Sequence, residues 1–122
     1  MEYIVLICAR GGSKGIPKKN LRKLLGKPLL VWSIELAKKL NMVSRVIVST
    51  DSNEIAKVAL ENGAEVPFIR PIELSQDNSP EWLAWDHAVK YLKEKEGLKK
   101  FTLIVLPVTS PLRNKSDVER CI

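Results

Sequence analysis

Cysteine and histidine are scarce in this chain: its 122 residues include two cysteines and one histidine. Cys8 and Cys121 stand at opposite ends of the sequence, too few and too scattered for a disulfide framework or a metal site, and they suit a reducing compartment. His87 falls on or beside the apolar stripe of a helical pattern, where a histidine packs rather than serving as a catalytic base. No serine or cysteine stands in a nucleophile-and-base pattern of the hydrolase type. No apolar run approaches the ~20 residues of a membrane-spanning helix, and no leader-like segment precedes the first apolar run. The expectation is a cytoplasmic protein with no membrane partner. Aromatic residues number seven and show no base-stacking arrangement, and the lysines are spread along the chain. The net charge of +6 and pI near 9.4 therefore read as an anionic-substrate site plus solvated helix faces, with no nucleic-acid partner expected. The phosphate-binding patterns G-x-x-x-x-G-K-[ST] and G-x-G-x-x-G are both absent.

What remains is an ordinary globular composition, 45% hydrophobic and 28% charged, in a length that fits one domain over residues 1–122. Tyr3-Ile4-Val5-Leu6-Ile7 has the length and β-branched content of a buried parallel strand. Gly26-Lys27-Pro28 reads as a turn into a helix, with Leu29, Trp32, Leu36 and Leu40 as its stripe, widened by Ile34 and Ala37, and Asn41 at its end. Val46-Ile47-Val48 is the second strand. The polar tip Ser49-Thr50-Asp51-Ser52-Asn53 follows, with Ser52 a helix cap and Asp51 open between a ligand or site-organising role and no such role. Ile55, Val58 and Ala59 give the next helix its apolar face, and Asn62-Gly63 stops it. Val66-Pro67-Phe68-Ile69 reads as a third strand near a sheet edge. A helix is expected from about Pro80 to Glu96, with Trp82 and Trp85 covering the sheet, then a fourth strand from Phe101 to Leu106. This alternation predicts an α/β fold: a Rossmann-like, three-layer α/β/α arrangement with a mainly parallel sheet. Every polar loop would then emerge at the carboxyl end of a strand, along one edge.

The first strand runs into Cys8-Ala9-Arg10-Gly11-Gly12-Ser13-Lys14-Gly15-Ile16-Pro17-Lys18-Lys19-Asn20. Glycines let backbone N–H groups approach a ligand closely. Arg10, Lys14, Lys18 and Lys19 surround the bend with cations, and Asn20 adds an amide that both donates and accepts. A basic glycine turn at a strand end is suited to polyphosphate.

The run from Ala9 to Asn20, Ala-Arg-Gly-Gly-Ser-Lys-Gly-Ile-Pro-x-Lys-Asn, resembles the N-terminal signature of the acylneuraminate cytidylyltransferases. That resemblance implies a nucleotide-diphospho-sugar transferase type of fold. It also implies transfer of CMP from CTP to a nonulosonic sugar acid, with release of diphosphate. Arg10, Gly11, Gly12, Ser13, Lys14 and Asn20 would hold nucleotide, and Arg10 and Lys19 would act on the phosphates. Arg70 and the polar segment with Asp77 and Ser79 match further nucleotide contacts, while Thr109, Ser110 and Arg113 match the sugar-acid side. The resemblance further implies Mg2+, with carboxylate ligands outside this chain, and a homodimer in the full-length family. Members of the family are roughly twice as long, so the chain reads as a cut-off N-terminal half, and a CTP-binding module without turnover is the alternative. Pro107-Val108 stands where the family pattern has Gln-Pro, and Glu81 where a hydroxyl is common. These departures leave the sugar open, including a related acid such as 3-deoxy-manno-octulosonate. Asp51 and Asp77 are not expected to form a metal site.

Overall fold

A computed structural model of the chain describes residues 2–9, 23–24, 26–69 and 82–106. Its centre is β1 (Glu2–Cys8), in which Ile4, Val5, Leu6 and Ile7 are all fully buried. A strand whose consecutive residues are all apolar can only be satisfied with both faces covered and both edges paired. β1 meets both conditions. On one side lies β4 (Val43–Ser49) and on the other β5 (Phe101–Leu106), both parallel to it, giving the order β4-β1-β5. Val5 faces Val46 in one neighbour and Ile104 in the other, and Leu6 faces Ile47 and Val105.

Helices lie on both faces, as the alternation predicts. On one, α1 (Leu29–Lys38) and α2 (Asn53–Glu61) cover Val5, Ile7, Val46 and Val48 through Leu30, Ile34, Ala37, Ile55 and Ala59. On the other, α3 (Trp82–Glu94) covers Ile4, Leu6 and Ile47 through Ala88 and Leu92. Strand alternation sorts these residues, odd positions of β1 to one face and even positions to the other.

Several boundaries differ from the sequence reading. A two-residue hairpin, β2 (Lys23–Leu24) with β3 (Lys27–Pro28), precedes α1, and its turn uses Gly26 at φ 82°. The buried side of α1 centres on Leu30, Ile34 and Ala37. Trp32 stays on the flank, where the Lys27 ammonium lies 4.4 Å from its ring and also binds Glu35 at 2.6 Å. α1 ends at Lys38 rather than Asn41, and β4 begins at Val43, ahead of its apolar run. Backbone pairing with β1 and the Ser44 hydroxyl donating to the Tyr3 carbonyl (3.1 Å) hold that polar start in place.

The expected third strand, Val66–Ile69, does not form. A single parallel bridge joins Glu65 to Ile47 on the outer side of β4, the Glu65 N–H donating to Val46 and its carbonyl accepting from Val48. Proline two residues on has no N–H to extend the ladder. The edge location was legible; the strand was not.

Trp82 and Trp85 do not cover the sheet either: they are 56% and 37% exposed. The small residues Ala84 and Ala88, with Leu92, form the buried stripe at i, i+4, i+8. Phe68 fills the flank beside them, edge-on to His87 (4.8 Å between ring centres) and tilted against Tyr91 (5.0 Å). His87 thus takes part in an aromatic contact at the margin of this core.

Candidate functional site at the carboxyl edge of the sheet

The parallel sheet gathers the carboxyl ends of β1, β4 and β5 along one edge. From β1 the chain crosses one face through α1 to β4. It returns across the opposite face through α3 to β5, on the other side of β1. The connections therefore part between β1 and β5, and open α/β sheets bind ligands in the crevice this creates.

The residues singled out for chemistry lie outside the described residues: Arg10, Gly11, Gly12, Ser13, Lys14, Lys19, Asn20, Arg70, Asp77, Ser79, Thr109, Ser110 and Arg113. What the structure describes is how the segments carrying them are anchored. The glycine loop leaves β1 at Ala9, whose N–H donates to the Ser49 carbonyl at 2.9 Å and extends the ladder one step past the strand. It returns at the β2–β3 hairpin, which leads directly into α1. Thr109, Ser110 and Arg113 follow Leu106, the buried last residue of β5. Arg70 to Ser79 lie between Phe68, held by His87 and Tyr91, and the start of α3. A helix of 13 residues spans about 20 Å. The C-terminal end of α3 lies near the amino end of β5, six residues before Phe101 closes the connection, so its first turn comes back toward the carboxyl edge.

Beyond β4 the backbone is fixed by short polar contacts. Thr50 is fully buried, and its Oγ1 accepts from the Ser52 N–H at 3.1 Å. Ser52 caps α2 as expected, its Oγ accepting from the Ile55 N–H at 3.3 Å. Asp51, half-buried, stands between these two pinned residues. The Ser49 hydroxyl is buried with no hydrogen-bond partner among the described residues. A buried hydroxyl without a partner destabilises, so Ser49→Ala is expected to leave stability unchanged or to raise it by up to about 1 kcal/mol. Urea unfolding measures this, and a loss above that size would mean the hydroxyl is bonded in the folded chain. The sequence marks Ser49 as part of a polar tip but gives no sign of its burial, which follows from its pairing beside Cys8.

Among the described residues no group of three or more histidine, cysteine, aspartate or glutamate side chains comes together to hold a metal ion. No described helix is long and apolar enough to cross a membrane. A charged cluster does occur, around Arg45, Glu65 and Glu96, on residues paired toward the amino end of the sheet and away from this edge.

The architecture is a Rossmann-like α/β fold, a parallel sheet with helices on both faces. The cytidylyltransferase family model matches residues 4–97, and the chain belongs to that family. A pseudaminic acid cytidylyltransferase of Campylobacter jejuni is 39% identical over 120 residues, covering 98% of this chain and 51% of the relative. An N-acylneuraminate cytidylyltransferase A of Danio rerio is 57% identical over 74 residues, 61% of this chain and 17% of that protein. Among solved structures, a CMP:2-keto-3-deoxy-manno-octonic acid synthetase complexed with CTP superposes with a TM-score of 0.76 over 98% of this chain and 45% of the other. At 22% identity, that likeness carries the fold alone. The chain spans about half the length of the Campylobacter relatives it matches.

Proposed function

We propose that the chain is the nucleotide-binding half of a CTP-dependent cytidylyltransferase that activates a nonulosonic sugar acid, giving the CMP-sugar and diphosphate. The match of the family model to residues 4–97 carries this reading. Relatives named for pseudaminic, legionaminic and acylneuraminic acids support the substrate class and leave the particular acid open.

In this reading the loop from Arg10 to Asn20 receives the triphosphate. Backbone N–H groups of Gly11, Gly12 and Ser13, with Arg10, Lys14 and Lys19, neutralise charge as the α-phosphate is attacked. Asn20, Arg70, Asp77 and Ser79 complete the nucleotide contacts, and Thr109, Ser110 and Arg113 face the sugar acid. A divalent cation such as Mg2+ would share the phosphate charge. The described residues do not supply a ligand set for it.

Calorimetric titration of CTP, ATP, GTP and UTP into the chain, with and without Mg2+, tests the reading. Binding selective for CTP is expected, weakened about 10- to 100-fold by Arg10→Ala as one charged hydrogen-bonding partner of the phosphates is lost. Equal affinity for all four nucleotides, or none in a folded chain, would overturn it. Because the chain spans about half of its relatives, a second reading is a CTP-binding module without turnover. Saturable CTP binding with no diphosphate release across a panel of sugar acids would select that one.

A further inference from the structure

We propose that two copies of this chain pair through the outer edge of β5, the two strands antiparallel across a two-fold axis that also brings α3 beside its copy. The inference is independent of the nucleotide reading.

The two borders of the sheet differ. On the outer side of β4, Glu65 bridges to Ile47 and is tied down by Arg45, and Val46, Ile47 and Val48 are buried. On the outer side of β5 no strand pairs among the described residues. Phe101, Leu103, Ile104 and Val105 stay half-buried there, although they are as apolar as the residues of β1. Edge strands are ordinarily guarded by charge, proline or a bulge. β5 has no charge or proline from Phe101 to Leu106, and its register with β1 runs without a break.

A second uncovered surface lies beside the first. At about 3.6 residues per turn, Ala88 facing the sheet puts His87 and Tyr91 on one flank of α3, and Trp82, Trp85 and Val89 on the other. His87 and Tyr91 meet Phe68, which follows Glu65 on the β4 side. The tryptophan flank is therefore turned toward β5, and both of its rings are exposed.

One symmetry operation covers both surfaces. α3 lies over β1, packed on Ile4 and Leu6 with Ile47 and Leu103 to either side. Strands about 4.8 Å apart put β1 about 7 Å from an axis just outside β5, and so the two α3 helices about 14 Å apart on the same face. Helices in direct contact stand at about 8–10 Å, so the wider gap suits a tryptophan from each side. An extended peptide added to β5 would leave those rings in water. Charge fixes the sense of the pairing. Lys99 and Lys100 precede β5, and parallel strands would set them against their copies. Antiparallel strands of six residues hold them about 20 Å apart. The antiparallel helices likewise carry Lys93, at the far end of the stripe, toward the tryptophans of the other copy.

Light scattering on size-exclusion eluates of the full chain, loaded from about 1 to about 200 µM, is expected to move from 13.7 kDa to twice that mass. Hydrogen exchange should show the β5 amides gaining protection over the same range. Trp82→Glu and Trp85→Glu, each checked for folding by circular dichroism, should weaken dimerisation about 10- to 100-fold. Leu60→Glu, as exposed as Trp82 but on α2 across the sheet, should not. Exchange at β5 needs no variant and carries the test should the tryptophan variants not fold. A chain monomeric throughout overturns the proposal, and β5 protection only on adding the second half of the Campylobacter relative would assign the face to that polypeptide. β5 amides already protected in the monomer overturn it too, because another segment of the same chain would then lie there. So does association beyond two copies, or a dimer that both tryptophan variants leave intact. None of these outcomes bears on CTP binding, which is measured separately.

Discussion

Leu6→Ala is expected to destabilise the chain by about 3 kcal/mol, within the range for leucine truncation in a closed core. Leu6 is fully buried in the middle of the central strand, paired on one side with Ile47 and on the other with Val105, under the face that α3 covers. Truncation removes three carbons from the cluster with Ile4, Ile47, Ala88 and Leu92. The gap relaxes only in part, because Ala88 and Leu92 of the helix above are already packed in the same cluster. For a domain with a total stability of about 5–15 kcal/mol, that is a large fraction. With a urea m-value of about 2 kcal/mol per molar, the midpoint should fall by about 1.5 M. Leu60→Ala, on the exposed side of α2 at 57% exposure, should change stability by less than about 0.5 kcal/mol and serves as the control. A Leu6→Ala loss no larger than the control's would mean that α3 does not close this face in solution.

The same core explains what the sequence disclosed. β1 was legible because four successive apolar residues admit one explanation, a strand buried on both faces. α2 was legible at both ends, since Ser52 and Asn62-Gly63 are local signals whose chemistry acts within one turn. The misses concern what touches what at longer range. Trp82 and Trp85 invite burial by size, yet the helix turns Ala84, Ala88 and Leu92 inward and leaves both rings on its outer side. Val66–Ile69 has strand composition, but Pro67 interrupts the hydrogen bonding after one bridge. Arg45 gave no warning at all: a cation just ahead of an apolar run reads as solvated, and its two carboxylate partners lie 20 and 51 residues away. Of the candidate site, the sequence supplied the motif and the structure supplies the strand ends that present it. Thr50 and Ser52 tie these two levels together, a polar tip in sequence becoming a rigid turn through two short hydrogen bonds.

Replacing Arg45 with methionine is expected to lower stability by about 2 kcal/mol, well beyond the effect of an ordinary surface ion pair. The guanidinium forks onto Glu65 (Nε and Nη2, 3.0 and 2.8 Å) and onto Glu96 (Nη1 and Nη2, 2.7 and 3.2 Å). Its side chain is 17% exposed, against 47% for Glu65 and 27% for Glu96, so water screens the carboxylates more than the cation. That partial screening is why the figure stays below the 3–5 kcal/mol range of a fully buried pair. The hydrogen bonds to Glu65 and then to Glu96 raise the Arg45 pKa, while burial opposes them. A cation whose folded pKa is raised contributes stability at every pH below its ordinary value and loses it only as pH climbs through the raised one. For an arginine that lies above the range of native measurements, so no alkaline break from this residue is expected. Methionine keeps the packing of the stem but leaves two carboxylates facing each other without their cation. Adding Glu96→Gln to Arg45→Met should therefore recover about 1 kcal/mol, and Arg45→Lys, a single point charge in place of a planar fork, should lose about half as much as methionine. The clamp joins β4 to both ends of the interval that carries Phe68, the candidate residues Arg70, Asp77 and Ser79, and α3. Urea titrations at low and at 1 M salt separate the contributions, because salt should shrink the screened Coulomb part and leave the geometric part. If Arg45→Met matches wild type at both salts, the fork holds nothing together, and α3 is fixed by its apolar face alone.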